Sequence, residues 1–176
     1  IVTSQSNYAG LFGYNTGVIE NLKVSNVNIS GQNYVGGLVG YSTGTLKNVS
    51  VESGSVTGQD YVGGLAGQAT ITQNAKSKGN VTGRDYIGGL IGLAGGETSG
   101  SYATGSASGR NYTGGLIGSA NAAVHECYAT GQAHGTSEHV GGLVGYQAGA
   151  ITNTYATGKV IGDYRYIGGL IGNKNA

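Results

Sequence analysis

Apolar residues along this chain fall in short alternating runs cut by glycines, with no helical period. Thr45-Leu46-Lys47-Asn48-Val49-Ser50-Val51 alternates side to side, which predicts a strand with one face in and one face out. Runs of the form x-Val-x-Gly recur as Ser55-Val56-Thr57-Gly58, Asn80-Val81-Thr82-Gly83 and Lys159-Val160-Ile161-Gly162. Each predicts another short strand ended by a glycine.

These runs belong to a repeat. After a first copy at Gly10-Leu11-Phe12-Gly13, the tetrapeptide Gly-Leu-x-Gly returns every 25–27 residues. Its further copies are Gly37-Leu38-Val39-Gly40, Gly64-Leu65-Ala66-Gly67, Gly89-Leu90-Ile91-Gly92, Gly115-Leu116-Ile117-Gly118, Gly142-Leu143-Val144-Gly145 and Gly169-Leu170-Ile171-Gly172. An aromatic column precedes it at Tyr8, Tyr34, Tyr61, Tyr86, Tyr112 and Tyr166, with His139 taking one place, and an asparagine column follows it at Asn21, Asn48, Asn74 and Asn153. A unit of this length holds about three short strands and too little apolar surface to bury alone, so neighbouring units must stack. The expectation is an all-β β-solenoid, or β-helix, of six to seven coils of 25–27 residues. The seven tetrapeptide leucines, from Leu11 to Leu170, form its internal ladder. Tyrosines and asparagines stack in rows, and Asn amides pair from coil to coil as in other cross-β stacks. At about 4.8 Å per coil the rod is about 30 Å long. Residues 1–176 read as a single repeat domain, expected to be part of a longer protein because neither end carries a polar cap.

Composition sharpens this picture. Glycine supplies 37 of 176 residues, about three times its usual share. Charged residues make up 10% and the net charge is +1, which gives no steering toward nucleic acid or anionic membranes. No run of about 18 apolar residues exists to insert into a bilayer. The lone cysteine, Cys127, has no internal disulfide partner and reads as a packed thiol.

The unit Tyr34-Val35-Gly36-Gly37-Leu38-Val39-Gly40, repeated closely over 61–67, 86–92 and 166–172 and more loosely over 112–118 and 139–145, resembles the bacterial GLUG motif. That resemblance covers nearly the whole chain. It implies an exported scaffold of the kind found in filamentous-haemagglutinin-like adhesins, other large secreted surface proteins, and accessory regions of immunoglobulin-A-cleaving metallopeptidases. It carries no catalytic residues to transfer.

Candidate chemistry is sparse. His125, His134 and His139 share one coil but fit no metal-binding spacing, and no calcium-binding Asp follows the paired glycines, so neither metal nor cofactor is expected. Asp60 and Asp85 fall in one column at a separation that a glycosidase pair could use. Asn33 and Asn111 occupy the same column, however, and Arg84 and Arg110 precede it, which favours turns with surface ion pairs. Threonine ranks such as Thr104, Thr130 and Thr157 are too broken for an ice-binding face. The strongest binding candidates are Tyr34, Tyr61, Tyr86 and Tyr112, whose rings and hydroxyls would meet a glycan or protein if the row faced out. A stacked corner row with hydroxyls toward water is the favoured placement. The expected function is a non-catalytic segment of a bacterial adhesin, extracellular or at the cell surface, serving as scaffold or stalk and as a candidate binder of host glycan or protein. The alternatives are an accessory region of a secreted peptidase and a polysaccharide-cleaving β-helix enzyme.

Overall fold

A computed structural model describes residues 2–3 and 7–175. Among these residues all regular structure is β, in strands stacked parallel as a solenoid of about six turns. Among the described residues the strands form four sheets. A valine sheet stacks Val27–Ser30, Gly54–Thr57, Asn80–Thr82 and their counterparts. A tyrosine sheet stacks Asn33–Gly36, Asp60–Gly63, Asp85–Gly88 and their successors. A long sheet has two limbs, joined in Val39–Lys47 and Ala66–Gln73 and separate in later coils, as in Ile91–Ala94 and Thr98–Ser99. A short sheet stacks Ser50–Val51, Lys76–Ser77, Tyr102–Ala103 and Tyr128–Ala129.

Pairing is between equivalent residues one coil apart. Val62 stands opposite Val35 on one side and Ile87 on the other. Leu38, Leu65, Leu90, Leu116 and Leu143 are fully buried in a continuous axial column, walled by Val35, Val62, Ile87, Val39 and Ile91. The ladder is shorter than expected at its ends. Leu11 is 55% exposed and Leu170 only partly buried, because these two lie in the outermost coils and are covered from one side.

The coil is also divided more finely than three strands. The alternating run over 45–51 does not stay straight: it breaks at Asn48, whose φ is +51°. Leu46, Val49 and Val51 are all buried, which a straight strand cannot achieve with a spacing of three followed by two. The asparagine column is therefore a column of left-handed corners, occupied by Asn21, Asn48, Asn74 and Asn153 with φ between +51° and +55°. Asparagine tolerates this conformation because its side chain bonds locally. The expected amide row forms along it, Asn48 Nδ2 donating to Asn21 Oδ1 at 3.2 Å and Asn74 Nδ2 to Asn48 Oδ1 at 3.3 Å. Gly100 and Glu126 hold the same corner in two later coils.

Glycine is required where backbones of adjacent coils touch. A Cβ on Gly92 would lie 2.7 Å from both the Gly67 carbonyl oxygen and the Tyr61 carbonyl carbon, inside van der Waals contact with backbone that cannot yield.

Two stability outcomes follow from this architecture. Leu90→Ala, at a site with no exposure, is expected to cost about 2–5 kcal/mol, read by thermal or denaturant unfolding. A negligible loss would contradict the axial ladder. Glu126→Asn replaces the one ill-suited side chain at the left-handed corner and is expected to gain about 1 kcal/mol. An unchanged or lower melting temperature would show that the corner holds Glu at least as well as Asn.

Candidate functional site

Tyr34, Tyr61, Tyr86 and Tyr112 sit on the tyrosine sheet at a second left-handed column, with φ between +51° and +61°. The ladder register passes over them: Asp60 pairs with Asp85 and Val62 with Ile87, and one tyrosine on each strand stands between without a ladder partner. At each left-handed position the ring lies flat against the next. Centroids are 4.7 Å apart for Tyr34–Tyr61 and Tyr61–Tyr86, and 4.5 Å for Tyr86–Tyr112, with planes within 14°. Tyr8 extends the row at one end, and His139 and Tyr166 at the other, with His139 at 4.6 and 4.8 Å from its neighbours. The four candidate tyrosines are half-buried. Both faces of each ring are covered by adjacent rings, so the row presents edges and hydroxyls to the surroundings and no free stacking face. Burial, then the neighbouring phenols, raises the pKa of Tyr34 and Tyr86, so these hydroxyls stay neutral. Burial lowers the pKa of the His139 imidazole, which keeps it a neutral member of the stack.

A further column runs beside this row: Tyr14, Tyr41, Gln68, Leu93, Ser119, Tyr146 and Asn173, paired coil to coil on the long sheet. Where it holds tyrosine, the ring stands perpendicular to the main row. Tyr41 lies 5.4 Å from Tyr34 at 70°, and Tyr146 lies 6.2 Å from Tyr112 at 84° and 5.9 Å from His139 at 87°. The main-row faces being occupied, these contacts set main-row edges against the flanking rings. At Leu93 and Ser119 the flanking ring is missing. A groove of about 400 Å³ opens there, lined by Tyr61, Tyr86 and Tyr112 on one side, Leu93 and Ser119 on the other, with Asn121 and Tyr146. The groove was not anticipated from the sequence. Its signal is the one variable position directly after the otherwise repeated tetrapeptide.

The other candidates lie apart. The three histidines are distributed over three sheets: His125 on the long sheet, 3.1 Å from Glu97; His134 on the valine sheet; and His139 in the tyrosine row. Among the described residues no three His, Cys, Asp or Glu side chains converge as a metal site would require. Asp60 and Asp85 are joined by arginines. Arg84 Nε donates to Asp60 Oδ1 at 3.0 Å and lies 3.6 Å from Asp85, and Arg110 Nη2 donates to Asp85 at 2.7 Å. These contacts hold the carboxylates as partners of fixed cations. Cys127 is buried, and burial pushes its thiol up to about 11.

The short sheet carries a second charged cluster. Glu52 receives Lys78 Nζ at 2.6 Å and Lys76 Nζ at 3.1 Å, with Lys23 at 4.0 Å. Beside Lys76 the rings of Tyr102, Tyr128 and Tyr155 stack at 4.7 and 5.0 Å. Hydrogen bonds from Lys78 and Lys76 hold the Glu52 carboxyl at about 2, well below its ordinary 4.5.

Fold and site together define a parallel β-solenoid of glycine-rich coils with aromatic rows on its sides. A family model described as the GLUG motif matches residues 31–57 and 136–161. The two windows start at the same phase of the repeat, three residues before Tyr34 and His139. The chain therefore carries a GLUG-motif repeat region. No curated protein and no solved structure matches it.

Glu52 sets a pH dependence. Its pKa is lower in the folded chain than in the unfolded one, so its contribution is present above about 4.5 and is lost as pH falls toward about 2. The melting temperature of the wild-type chain is expected to drop more between pH 5 and pH 3 than that of Glu52→Gln. Parallel decreases in the two proteins would contradict the lysine-held carboxylate.

Proposed function

We propose that this chain is a non-catalytic extracellular repeat segment of a bacterial surface adhesin, which serves as a rigid scaffold or stalk and binds host glycan or protein on its side faces. The observation that carries this reading is the uninterrupted in-register stacking of whole coils on all four sheets. Every coil is held by backbone hydrogen bonds to the coils beside it, so length is gained without a hinge. The matched GLUG repeats fit such a segment.

An accessory region of a secreted peptidase would use the same rod, and its neighbouring domains would set it apart. The enzyme alternative draws less support, because Asp60 and Asp85 are engaged by Arg84, Arg110 and Asn111 and a glycosidase needs one acid protonated and free to act.

The test is attachment of the purified chain to cultured host cells, with reducing-sugar release from polysaccharides assayed in parallel. Saturable attachment without sugar release is expected. Sugar release that disappears in Asp60→Asn or Asp85→Asn would overturn the non-catalytic reading, and absence of attachment would remove the adhesive half of it.

A further inference from the structure

The groove beside the tyrosine row is a break in a pattern that the rest of the chain maintains. Tyr14 and Tyr41 run consecutively in the flanking column, and Tyr146 resumes it. Between them the column changes to Gln68, Leu93 and Ser119. Gln68 folds back on Tyr41, its Nε2 donating to the tyrosine hydroxyl at 3.2 Å, which leaves Leu93 and Ser119 as the open stretch. There the edges of Tyr61 and Tyr86 have no flanking ring against them, while Tyr146, edge-on to Tyr112, lines the groove one coil beyond Ser119.

We propose that this groove binds a neutral, linear polysaccharide lying parallel to the solenoid axis. This rests on the reading of the chain as a surface-binding segment and names its ligand class and site. The chemistry of the walls supports it. No side chain in the lining carries charge at neutral pH, whereas a sulfated or sialylated chain would call for Lys or Arg. Phenol hydroxyls and the exposed Asn121 amide supply donors and acceptors for sugar hydroxyls. Leu93 and the Tyr146 ring supply the apolar contact that the C–H face of a pyranose seeks.

The spacing supports it too. Coils succeed one another by about 4.8 Å, close to the length of one hexopyranose along an extended chain. Successive sugars thus meet successive coils, and one binding geometry is repeated along the groove. An extended peptide fits less well. Peptides add to sheets at an unpaired strand edge, and here the strands flanking the groove, Ile91–Ala94 and Ile117–Ala120, are already paired on both sides.

The test uses the 176-residue chain and three variants. Ser119→Tyr and Leu93→Tyr complete the flanking row with a side chain the column already accepts at three positions, so they fill the groove while the fold stays intact. Tyr146→Ala removes the lining ring beyond Ser119. The probes are cellohexaose, mannohexaose, xylohexaose, laminarihexaose and maltohexaose, with a heparin hexasaccharide as the charged control, each titrated by calorimetry. Circular dichroism melts confirm folding. The expected result is saturable binding of at least one neutral probe, weakened at least about tenfold by Ser119→Tyr and by Tyr146→Ala, and no binding of heparin. Equal binding by wild type and Ser119→Tyr would overturn the groove as the site while leaving a glycan-binding segment. Binding of heparin alone would overturn the ligand class. Failure of every probe, with host-cell attachment retained, would overturn the proposal and spare the adhesive reading. Failure of both would overturn both.

Discussion

In this solenoid every side chain must tolerate a near-copy of itself one coil above and one coil below. Strict register places Asp60 beside Asp85, Asn48 beside Asn21, and Tyr61 beside Tyr34 and Tyr86. Residues that attract their own kind at about 4.8 Å are rewarded. Amides donate to amides, rings lie flat on rings, and leucines fill a shared axis. Charge is penalised, because like charges directly opposite repel, and this accounts for a charged fraction of 10%. The clustered charges come with their neutralisers. Arg84 reaches both Asp60 and Asp85, and Glu52 is surrounded by Lys23, Lys76 and Lys78.

The same constraint explains why the backbone accepts strain. A bulky residue in the left-handed region costs about 1–2 kcal/mol, and the tyrosine column incurs it in coil after coil. The left-handed turn is the position at which each ring lies on the next. A stacked aromatic pair contributes about 0.5–1.5 kcal/mol beyond its burial, so cost and gain are of similar size. Burial of Val62 and Ile87 on the inner side of the same strand tips the balance. His139 holds its place in the row because a neutral imidazole is also a flat ring.

Repetition made the architecture legible before any coordinates. The period, the buried leucines, the x-Val-x strand and the stacked tyrosines and asparagines all follow from columns that recur. What stayed hidden lay within a column or at its ends. The break at Asn48 was masked by a run that alternates like one strand, although the asparagine itself marked the corner. Leu11 looks identical to Leu38 in sequence and differs only in having coil on one side. The groove depends on residues that depart from their column, and a reading built on recurrence passes over Leu93 and Ser119 as noise. The stacked corner placement of the rings was the favoured one of two that the sequence left open. Only the stacking distances show that Tyr61 and Tyr86 offer edges where free faces had been one of the options.

The coils are not all the same length, and the differences are taken up at corners. Ala69 pairs with Ser42, yet Ile71 pairs with Thr45, so one residue drops out at the bend of the long sheet. At the approach to His139 one is gained: Gly135 pairs with Gly109, whereas Val140 pairs with Thr113. Strands, core and aromatic row keep their alignment across both changes. Loops can therefore lengthen or shorten without retuning the interior, and a copied or excised repeat alters the rod by one increment of height and nothing else. Reach behaves as a digital quantity, set by a count of interchangeable units. A surface feature such as the groove is written into that tape as a local misprint, set by the few residues that depart from their column.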